Sequence, residues 1–515
     1  MSSPEKPNAS PFWWGVSTSA YQSEGGYNGT GQPQTNWASV EENGYVMATG
    51  RAAEFWTRYE EDFARCRAMG LNAFRLGLEW SRIQPTYENA VGSAPPFDFD
   101  VLDHYVGMIA SCRRHGLEPV VTLHHFVHPA WLGLDPWLNP ESVEYFTAYA
   151  TVTVSYINDA LVQVHGLDPI GTYITINEPN MLAVNTYFGT QFPGGERAGL
   201  ATVDCCYNHL LSAHVRAYNL IHDLYMDRGW TAPAVTLNNY ASDVYWGDKF
   251  LLDLLSIRER GLVREQAGAY IRAKADQFRA ALAAEDLPLK RDLPYYIGAL
   301  VSNFTDWLGK LRFTAENFAP LLEAIYASPR ARLFDYVAID YYDPFVAHVF
   351  RFPVFWDHEF KNKSIRCWVM NTVASKWWDW HVLPQGLHFF CSYYSQDFAR
   401  PVLIAENGMA HRCRPDNQHT RRTDRITRSE FLRLHVEEVV KIVEEGIPLM
   451  GYLHWSLVDN YEWGTFTPRF GLFSLDYTQG TDRLVQDPQG DRPSETYTAL
   501  VREAREKMAK STLPG

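Results

Sequence analysis

Cysteine is scarce in this chain of 515 residues, and its arrangement excludes two common ways of stabilising a fold. Seven cysteines occur, an odd number, and no two of them have the C-x-x-C spacing. A disulfide framework or a zinc ribbon is therefore not expected. No stretch of about 18 apolar residues is present, and residues 1–7 lack the charged-then-apolar pattern of a secretory signal. We expect a soluble protein in a reducing, cytoplasmic setting, without a membrane partner.

Positive charge is also in short supply. Lysine and arginine together number 46, against 60 aspartate and glutamate residues, so the formal net charge is −14. No basic stripe is available to offset phosphate charge, and a nucleic-acid partner is not expected. The excess of negative charge favours solubility, and self-association stays open.

What the chain does contain is a series of eight apolar runs separated, for the most part, by helical patterns. Phe55, Tyr59, Phe63 and Cys66, for example, recur at steps of four and three residues. Strands that alternate with helices pair in parallel, and eight such units close a (β/α)8 barrel. The sequence therefore predicts an α/β fold, a single TIM barrel with elaborated βα loops. The predicted strands lie near residues 12–19, 73–80, 118–125, 171–178, 232–239, 335–342, 400–406 and 449–457.

The whole chain, residues 1–515, is predicted to form one catalytic domain with a core from about residue 11 to about residue 505. No internal repeat, low-complexity tract or Ser/Gly linker marks a second domain. The connection between strands 5 and 6 is long, about residues 240–334, and has its own helical stretch around 249–283. We expect this insertion to form a cap or a subunit contact.

Two glutamates follow β-branched apolar runs. Glu178 lies in Ile-Asn-Glu-Pro at the end of the fourth run, and Glu406 lies in Ala-Glu-Asn-Gly at the end of the seventh. Carboxyls at strand ends can converge on one pocket. Cleavage of a glycosidic bond needs such a pair, one acid for the leaving oxygen and one carboxylate for the anomeric carbon. The alternative is that both motifs only end a strand and begin a loop.

Polar side chains also follow most of the other predicted strands. In a TIM barrel the chemistry lies at this C-terminal end of the strands. Such a distribution indicates a polar pocket, assembled from Gln22, Arg75, His125, Asn177, Tyr342, Trp455, Glu462 and Trp463 together with the two glutamates.

Three longer motifs resemble glycoside hydrolase family 1, the β-glucosidase and β-galactosidase family. They are residues 12–25, residues 80–83 and residues 455–463. The resemblance runs in the family's order from about residue 12 to Tyr477. It implies a retaining exo-β-glycosidase, most simply a β-glucosidase, with galactose and fucose as open alternatives. Small β-glycosides or oligosaccharides would be its substrates, and neither a cofactor nor a metal is expected.

The same resemblance assigns roles to individual residues. Glu178 would be the acid/base and Glu406 the nucleophile of a double displacement. Arg75 would keep Glu406 ionised, and Tyr342 would donate a hydrogen bond to the same carboxylate. The negative charge of Glu406 should raise the pKa of Glu178 so that it holds a proton near neutrality. The remaining matches would bind the sugar: Gln22, His125, Asn177 and Glu462 its hydroxyls, Trp455 and Trp463 its ring, and Trp380 the aglycone entrance.

Four features depart from the common family pattern. Phe126 stands where Trp is frequent, and Ala405 replaces the common Thr before the nucleophile. Asp340 stands where Asn usually precedes two tyrosines. On a strand it shares a face with Tyr342, so an extra carboxyl is expected in the site. Residues 464–468 are one residue shorter than usual. These changes affect substrate preference rather than the type of reaction.

The chain also admits three other interpretations: a metal site, a transglycosidase and a sugar-binding pseudoenzyme. His124, His125 and His128 suggest a metal site, but they follow a strand without a cysteine or glutamate ligand of the zinc type nearby. A transglycosidase would use the same two carboxylates with an acceptor in place of water. A sugar-binding pseudoenzyme is disfavoured because both glutamates are present.

Overall fold

The computed structural model of the chain describes residues 12–86, 94–188, 191–195, 199–291, 293–343, 381–413, 417, 419–420, 422 and 424–511. Its strands are β1 (Trp13–Ser17), β2 (Ala73–Gly77), β3 (Glu118–His124), β4 (Thr172–Asn177), β5 (Ala234–Tyr240), β6 (Val337–Tyr341), β7 (Val402–Asn407), β8 (His411–Cys413), β9 (His419–Thr420), β10 (Leu449–Trp455) and β11 (Pro468–Arg469).

Eight of these strands close into a parallel barrel in the order β1-β10-β7-β6-β5-β4-β3-β2, which confirms the predicted fold. β1 completes the ring because it pairs with β10 on one side and with β2 on the other. At this closure Gly15 has no room for a side chain, since a Cβ atom would lie 2.4 Å from the carbonyl oxygen of Ala73. The three short strands β11, β8 and β9 form a separate antiparallel sheet.

Helices cover the outside of the barrel and account for the continuous apolar character of the strands. Every residue of β2, β4, β6 and β7 is buried, as is usual for parallel strands with helices on their outer face. None of the described helices combines the length and the apolar character needed to cross a membrane. The helices are α1 (Ala20–Glu24), α2 (Ala38–Glu42), α3 (Phe55–Ala68), α4 (Trp80–Ile83), α5 (Phe99–Arg114), α6 (Glu141–Gln163), α7 (Pro179–Tyr187), α8 (Leu200–Arg228), α9 (Lys249–Ser256), α10 (Ala267–Ala284), α11 (Leu293–Arg312), α12 (Ala319–Ala327), α13 (Gln385–Phe398), α14 (Arg428–Glu444) and α15 (Pro493–Ser511).

Some predicted boundaries differ from the structure. The first two apolar runs extend past their strands, because β1 ends at Ser17 and β2 at Gly77 and a short buried helix follows each of them. Gln22 therefore lies on α1 rather than directly at a strand end. The helical stretch expected around 249–283 is divided into α9 and α10, and Gly261 adopts φ 73° in the turn between them.

The core has two layers. The larger layer packs between the strands and the surrounding helices and includes aromatic residues such as Phe63, Phe146 and Tyr452. A small apolar cluster fills the inside of the barrel: Ala73, Val120, Ile174, Tyr336, Ala338, Leu403, Ala405 and Leu453. This plug closes the barrel below the pocket, as in other TIM barrels.

The insertion between β5 and β6 contains α9, α10, α11 and α12. Its first helix is attached to the rest of the molecule by a buried ion network. Lys249 of α9 is fully buried and contacts both Asp253 and Asp397 of α13, while Lys274 of α10 contacts the same Asp397. The prediction that the chain forms one domain stays a prediction.

Candidate active site

A pocket opens at the C-terminal ends of the barrel strands, and its empty volume, open solvent at the mouth included, is about 560 Å³. This is the end at which TIM barrels carry their active sites. Residues from distant parts of the sequence meet here, and the structure brings together most of the set expected from the sequence. The predicted residues that line the pocket are Gln22, His125, Asn177, Glu178, Tyr342, Glu406, Trp455, Glu462 and Trp463.

An irregularity in β7 turns Glu406 toward the pocket. Ile404 pairs with Ile339 of β6, but the next pair joins Glu406 to Asp340, so β7 has one extra residue. An extra residue reverses the alternation of side chains between the two faces of a strand. β4 has an equivalent shift just before Asn177. The two shifts therefore direct both side chains toward the inside of the barrel.

Glu178 follows β4 in a left-handed backbone conformation, with φ 37° and ψ 61°. Its backbone N–H donates to the carbonyl oxygen of Asn238 on β5 at 2.9 Å, and Pro179 begins α7 directly afterwards. This turn fixes the carboxyl at the rim of the barrel, where only 7% of the residue is exposed.

Glu406 has one cation and one neutral donor. The guanidinium of Arg75 donates to Oε1 from 2.5 Å, and the hydroxyl of Tyr342 donates to Oε2 from 2.8 Å. Burial raises the pKa of Glu406 above its ordinary value, and these two donors limit the rise. Burial raises the pKa of Glu178 well above its ordinary value, and the charge of Glu406 raises it further. The two carboxyls are thus electrostatically unequal, and burial contributes more to the raised pKa of Glu178 than the charge of Glu406 does.

Asp340 is a third carboxyl in this site, as its position on β6 predicts. One carboxyl oxygen from each of Glu178, Asp340 and Glu406 lies within 4.8 Å of the others. Asp340 is fully buried, and it accepts a hydrogen bond from Asn238. Its nearest cation is Arg75, at 3.8 Å from Oδ1. Burial, followed by the charges of Glu406 and Glu178, raises the pKa of Asp340 well above its ordinary value.

Asn177 links the charged cluster to His125. Its Oδ1 accepts hydrogen bonds from Arg75 and, at 2.9 Å, from Asn238. Its Nδ2 lies 3.2 Å from Nε2 of His125. Burial and the charge of Arg75 lower the pKa of His125 well below its ordinary value, so this imidazole is neutral.

Glu462 forms a second polar centre at the opposite wall. Trp455 Nε1 donates to one carboxylate oxygen at 3.0 Å, and Gln22 Nε2 donates to the other at 3.1 Å. Burial raises the pKa of Glu462 to about 8. A carboxyl held by two donors has a fixed orientation, which suits the recognition of a hydroxyl group.

Aromatic rings form the walls between these polar centres. The ring of His125 lies parallel to those of Trp455 and Trp463, with ring centroids 5.9 Å and 5.8 Å apart. Phe126, one of the departures from the family pattern, packs edge-on against Trp463 at 4.9 Å. It therefore supports the wall without adding an indole N–H.

Among the described residues, Arg75 is the predicted one that does not line the pocket. It lies behind the pocket, fully buried, and donates to Glu406 and Asn177 from there. Trp380 lies outside the residues that the structure describes.

Several residues of the site were missed by sequence reasoning. Tyr240 is the last residue of β5 and lines the pocket, and Asn238, two residues before it, donates to Asn177 and Asp340. The strand-end criterion that found the other site residues also applies to these two. No motif marks the remaining ones, which loops and α7 bring to the pocket: Met181, Asn185, Phe192 and Phe470.

The histidines that suggested a metal site in the sequence do not form one among the described residues, and the group with suitable ligand spacing is acidic. Within the described part of the chain, the only group with ligand spacing suited to a metal is Glu178, Asp340 and Glu406. Arg75 already supplies a positive charge to this cluster. His124 is neutral because burial lowers its pKa to about 3, and its ring packs against Trp137.

Comparison with known proteins identifies the family. The model of glycosyl hydrolase family 1 matches residues 5–241 and 305–490. The chain belongs to glycosyl hydrolase family 1. It is therefore a glycoside hydrolase, and residues 242–304 of its insertion lie outside the family match.

Solved structures of this family share the fold. A β-glucosidase from Thermotoga maritima in complex with galacto-hydroximolactam is 21% identical, with a TM-score of 0.63, and the match covers 97% of this chain and 99% of that one. A β-glycosidase from Pyrococcus horikoshii is 22% identical, with a TM-score of 0.62 and coverage of 99% and 98%. At this identity the likeness concerns the fold.

Proposed function

We propose that this family 1 hydrolase is a retaining exo-β-glycosidase that removes terminal non-reducing β-D-glucosyl residues from small glycosides. The observation that carries the proposal is the close, unequal pair of Glu178 and Glu406. Their nearest carboxyl oxygens lie within 4.8 Å. In retaining glycosidases the carboxyl groups are about 5–5.5 Å apart, whereas inverting enzymes need a wider gap to admit water.

In the first step Glu406 attacks the anomeric carbon, and the bond to the leaving-group oxygen breaks. Arg75 and Tyr342 hold Glu406 for this attack through their hydrogen bonds to its two oxygens. Glu178, whose pKa is raised, gives its proton to the departing oxygen. The products of this step are the free aglycone and a glycosyl ester on Glu406.

In the second step water replaces the ester. Glu406 is now neutral, so the charge that raised the pKa of Glu178 is gone and Glu178 becomes a better base. It takes a proton from a water molecule as the oxygen of that water bonds to the anomeric carbon. The ester bond breaks, the β-anomer is released, and both carboxyls return to their starting states.

The sugar-binding residues support a neutral hexose. Asn177 would contact the 2-hydroxyl, and this contact would strengthen as positive charge develops on the ring. Glu462, held by Gln22 and Trp455, is suited to hydroxyl groups at the far side of the ring.

Trapping of the intermediate tests the assignment of the nucleophile. A 2-deoxy-2-fluoro β-glucoside with a good leaving group should inactivate the enzyme and add one sugar mass to the peptide that contains Glu406. Glu406→Gly should lose nearly all hydrolysis and should form the α-glucosyl azide from activated glucosides in azide. Label on another peptide would overturn the proposal.

Glu178→Ala provides the complementary test. A dinitrophenolate leaves without protonation, so the first step should survive with dinitrophenyl glucoside and fail with disaccharides. Equal losses on both substrates would remove Glu178 as the acid. Aryl β-galactoside and β-fucoside in the same assay would rank the sugar preference.

A further inference from the structure

Helix α11 of the insertion carries a continuous apolar stripe on the surface of the protein. Six of its large hydrophobic side chains are between 58% and 72% exposed. In the described part of the chain only fourteen large hydrophobic residues are 37% exposed or more, and six of them lie on this one helix. The stripe consists of Leu293, Tyr296, Leu300, Phe304, Trp307 and Leu311.

The opposite face of α11 attaches the helix to its own chain. Asp306 accepts a hydrogen bond from Trp246 Nε1 at 3.2 Å. Gly309 lies directly on the same indole, since a Cβ atom there would come within 2.3 Å of the ring. The stripe therefore points away from the molecule that carries it.

The spacing of the stripe suits a straight helical partner. Successive members are three, four, four, three and four residues apart, which follows the 3.6-residue period of an α-helix and keeps the stripe parallel to the helix axis. The six positions are also symmetric about residue 302 to within one residue: 293 and 311 lie nine residues from it, 300 and 304 two residues, and 296 and 307 six and five residues. A surface of this kind is complementary to itself under a two-fold rotation, as an interface between identical subunits requires.

We propose that the α11 stripe is the surface through which two copies of this chain pair, with the two α11 helices antiparallel about a two-fold axis near residue 302. In this arrangement Leu293 of one copy meets Leu311 of the other. Tyr296 meets Trp307, and Leu300 meets Phe304. The aromatic pair of Tyr296 and Trp307, the mixed pair of Leu300 and Phe304, and the terminal leucine pair form one continuous apolar interface.

The area of the stripe fits such a dimer. An aromatic side chain has about 150–250 Å² to bury, so six large side chains at this exposure offer roughly 800 Å² per copy, which is the size of a standard specific interface.

The charged residues beside the stripe are paired within the chain. Lys310 contacts Asp276 and Asp306, and Arg279 also contacts Asp306. An apolar centre with a neutralised polar rim favours a protein partner over an anionic lipid surface.

The mass of the full chain in solution tests the proposal. Sedimentation equilibrium at micromolar concentration should give twice the 59.0 kDa mass of the chain. The double variant Leu300→Glu/Phe304→Glu should return the mass to that of the monomer, with a dissociation constant raised about 100-fold or more because the charges would be buried without partners. A wild-type chain that stays monomeric up to about 50 µM, well above the dissociation constant of a standard interface, would overturn the proposal.

Val164→Glu/Met226→Glu is the matched control. These two residues are 77% and 67% exposed and lie outside the stripe, so the same charge change there should leave the dimer intact. Both double variants should keep the thermal midpoint and the glucosidase activity of the wild type, which separates a lost interface from a lost fold. Loss of the dimer in this control as well would overturn the assignment to α11.

Cross-linking tests the antiparallel arrangement. Positions 293 and 311 are about 27 Å apart along one helix. The double variant Leu293→Cys/Leu311→Cys should therefore form a disulfide-linked dimer, while each single variant should not. Cross-linking of the single variants would indicate a parallel pair and overturn the antiparallel arrangement.

Binding to vesicles tests the alternative partner of the stripe. A monomer that sediments with phosphatidylcholine vesicles would assign the stripe to a lipid surface and overturn the proposed dimer.

Discussion

Asp340 is the residue at which this chain differs most in its chemistry from the family pattern. Where an asparagine is usual, the structure has a third buried carboxyl beside Glu178 and Glu406, and among the described residues Arg75 is the one cation that pairs with this cluster. A buried carboxylate with so few donors is expensive to ionise. Asp340 therefore affects the balance of protons in the active site as well as the stability of the barrel.

Asp340→Asn should stabilise the protein at neutral pH. The folded-state pKa of Asp340 is raised, so the unfolded chain ionises this group first, and stability is lost as pH rises above the unfolded value of about 3.9. Asparagine has no such charge. The thermal midpoint of the variant should exceed that of the wild type at pH 7, and the difference should shrink toward pH 4.

The exposed Asp276→Asn is the control for this measurement, because Asp276 pairs with Lys310 at the surface. Its effect on the midpoint should be small at both pH values. A difference between Asp340→Asn and the wild type that is the same at pH 4 and pH 7 would contradict the raised pKa.

Glu462 should make the enzyme selective against 6-phosphorylated glucosides. The described residues that line the pocket include no lysine or arginine, so a phosphate dianion would be buried without a cation. The cation nearest in sequence, Arg469, donates to the carbonyl oxygen of Leu475 and lies 3.8 Å from Asp459. We expect far lower kcat/KM for an aryl 6-phospho-β-glucoside than for the unphosphorylated glucoside.

Glu462→Ser should lower kcat/KM for the glucoside about 100-fold. Gln22 and Trp455 would lose the acceptor that they share, and the sugar would lose one of its hydrogen-bond partners. Glu462→Gln, which keeps an acceptor oxygen, should retain more activity. Comparable efficiency of the wild type on both substrates would contradict this view of the pocket.

At the scale of elements, Asp397 of α13 holds the insertion helices α9 and α10 in place. It contacts Lys249 and Lys274, and it lies 3.3 Å from Arg260. Burial opposes its ionisation, but the two lysines keep its pKa below the ordinary value. The network is therefore a favourable contact above about pH 4, where the carboxylate is ionised.

Asp397→Asn should destabilise the protein by about 3 kcal/mol near neutrality, because it leaves buried Lys249 with one carboxylate instead of two. The group has a lowered folded-state pKa, so its contribution is present above the unfolded value and is lost as pH falls through the folded value. Urea unfolding at pH 7 and at pH 3.5 would measure this, and the loss should be smaller at the lower pH. A loss under 0.5 kcal/mol at pH 7, typical of a surface change, would show that the network is not essential.

At the scale of the whole molecule, the barrel and its insertion should unfold together. The insertion is attached to α13 by the buried network, and its helix α12 packs against α8, the helix that precedes β5. Differential scanning calorimetry should show one transition, with calorimetric and van't Hoff enthalpies in agreement at low concentration. A separate early transition assigned to residues 242–304 would argue for a second domain.

The sequence alone was sufficient for the eight strands and for the two catalytic candidates. Each strand is a short apolar run ended by turn residues, and Glu178 and Glu406 follow two of these runs, so local pattern defines both. Asp340 was also accessible, because alternation along β6 places it on the face of Tyr342. Asn238 and Tyr240 were missed although they lie at the end of β5 in the same manner.

Only the tertiary structure decided how these residues meet. The extra residues in β4 and β7, which turn Asn177 and Glu406 inward, depend on pairing with neighbouring strands and leave no sign in the local sequence. The attachment of Lys249 to Asp397 across 148 residues is equally non-local. The exposure of the α11 stripe was decided in the same way: its apolar periodicity is that of any core-facing helix, and only the packing of the whole chain leaves this face uncovered.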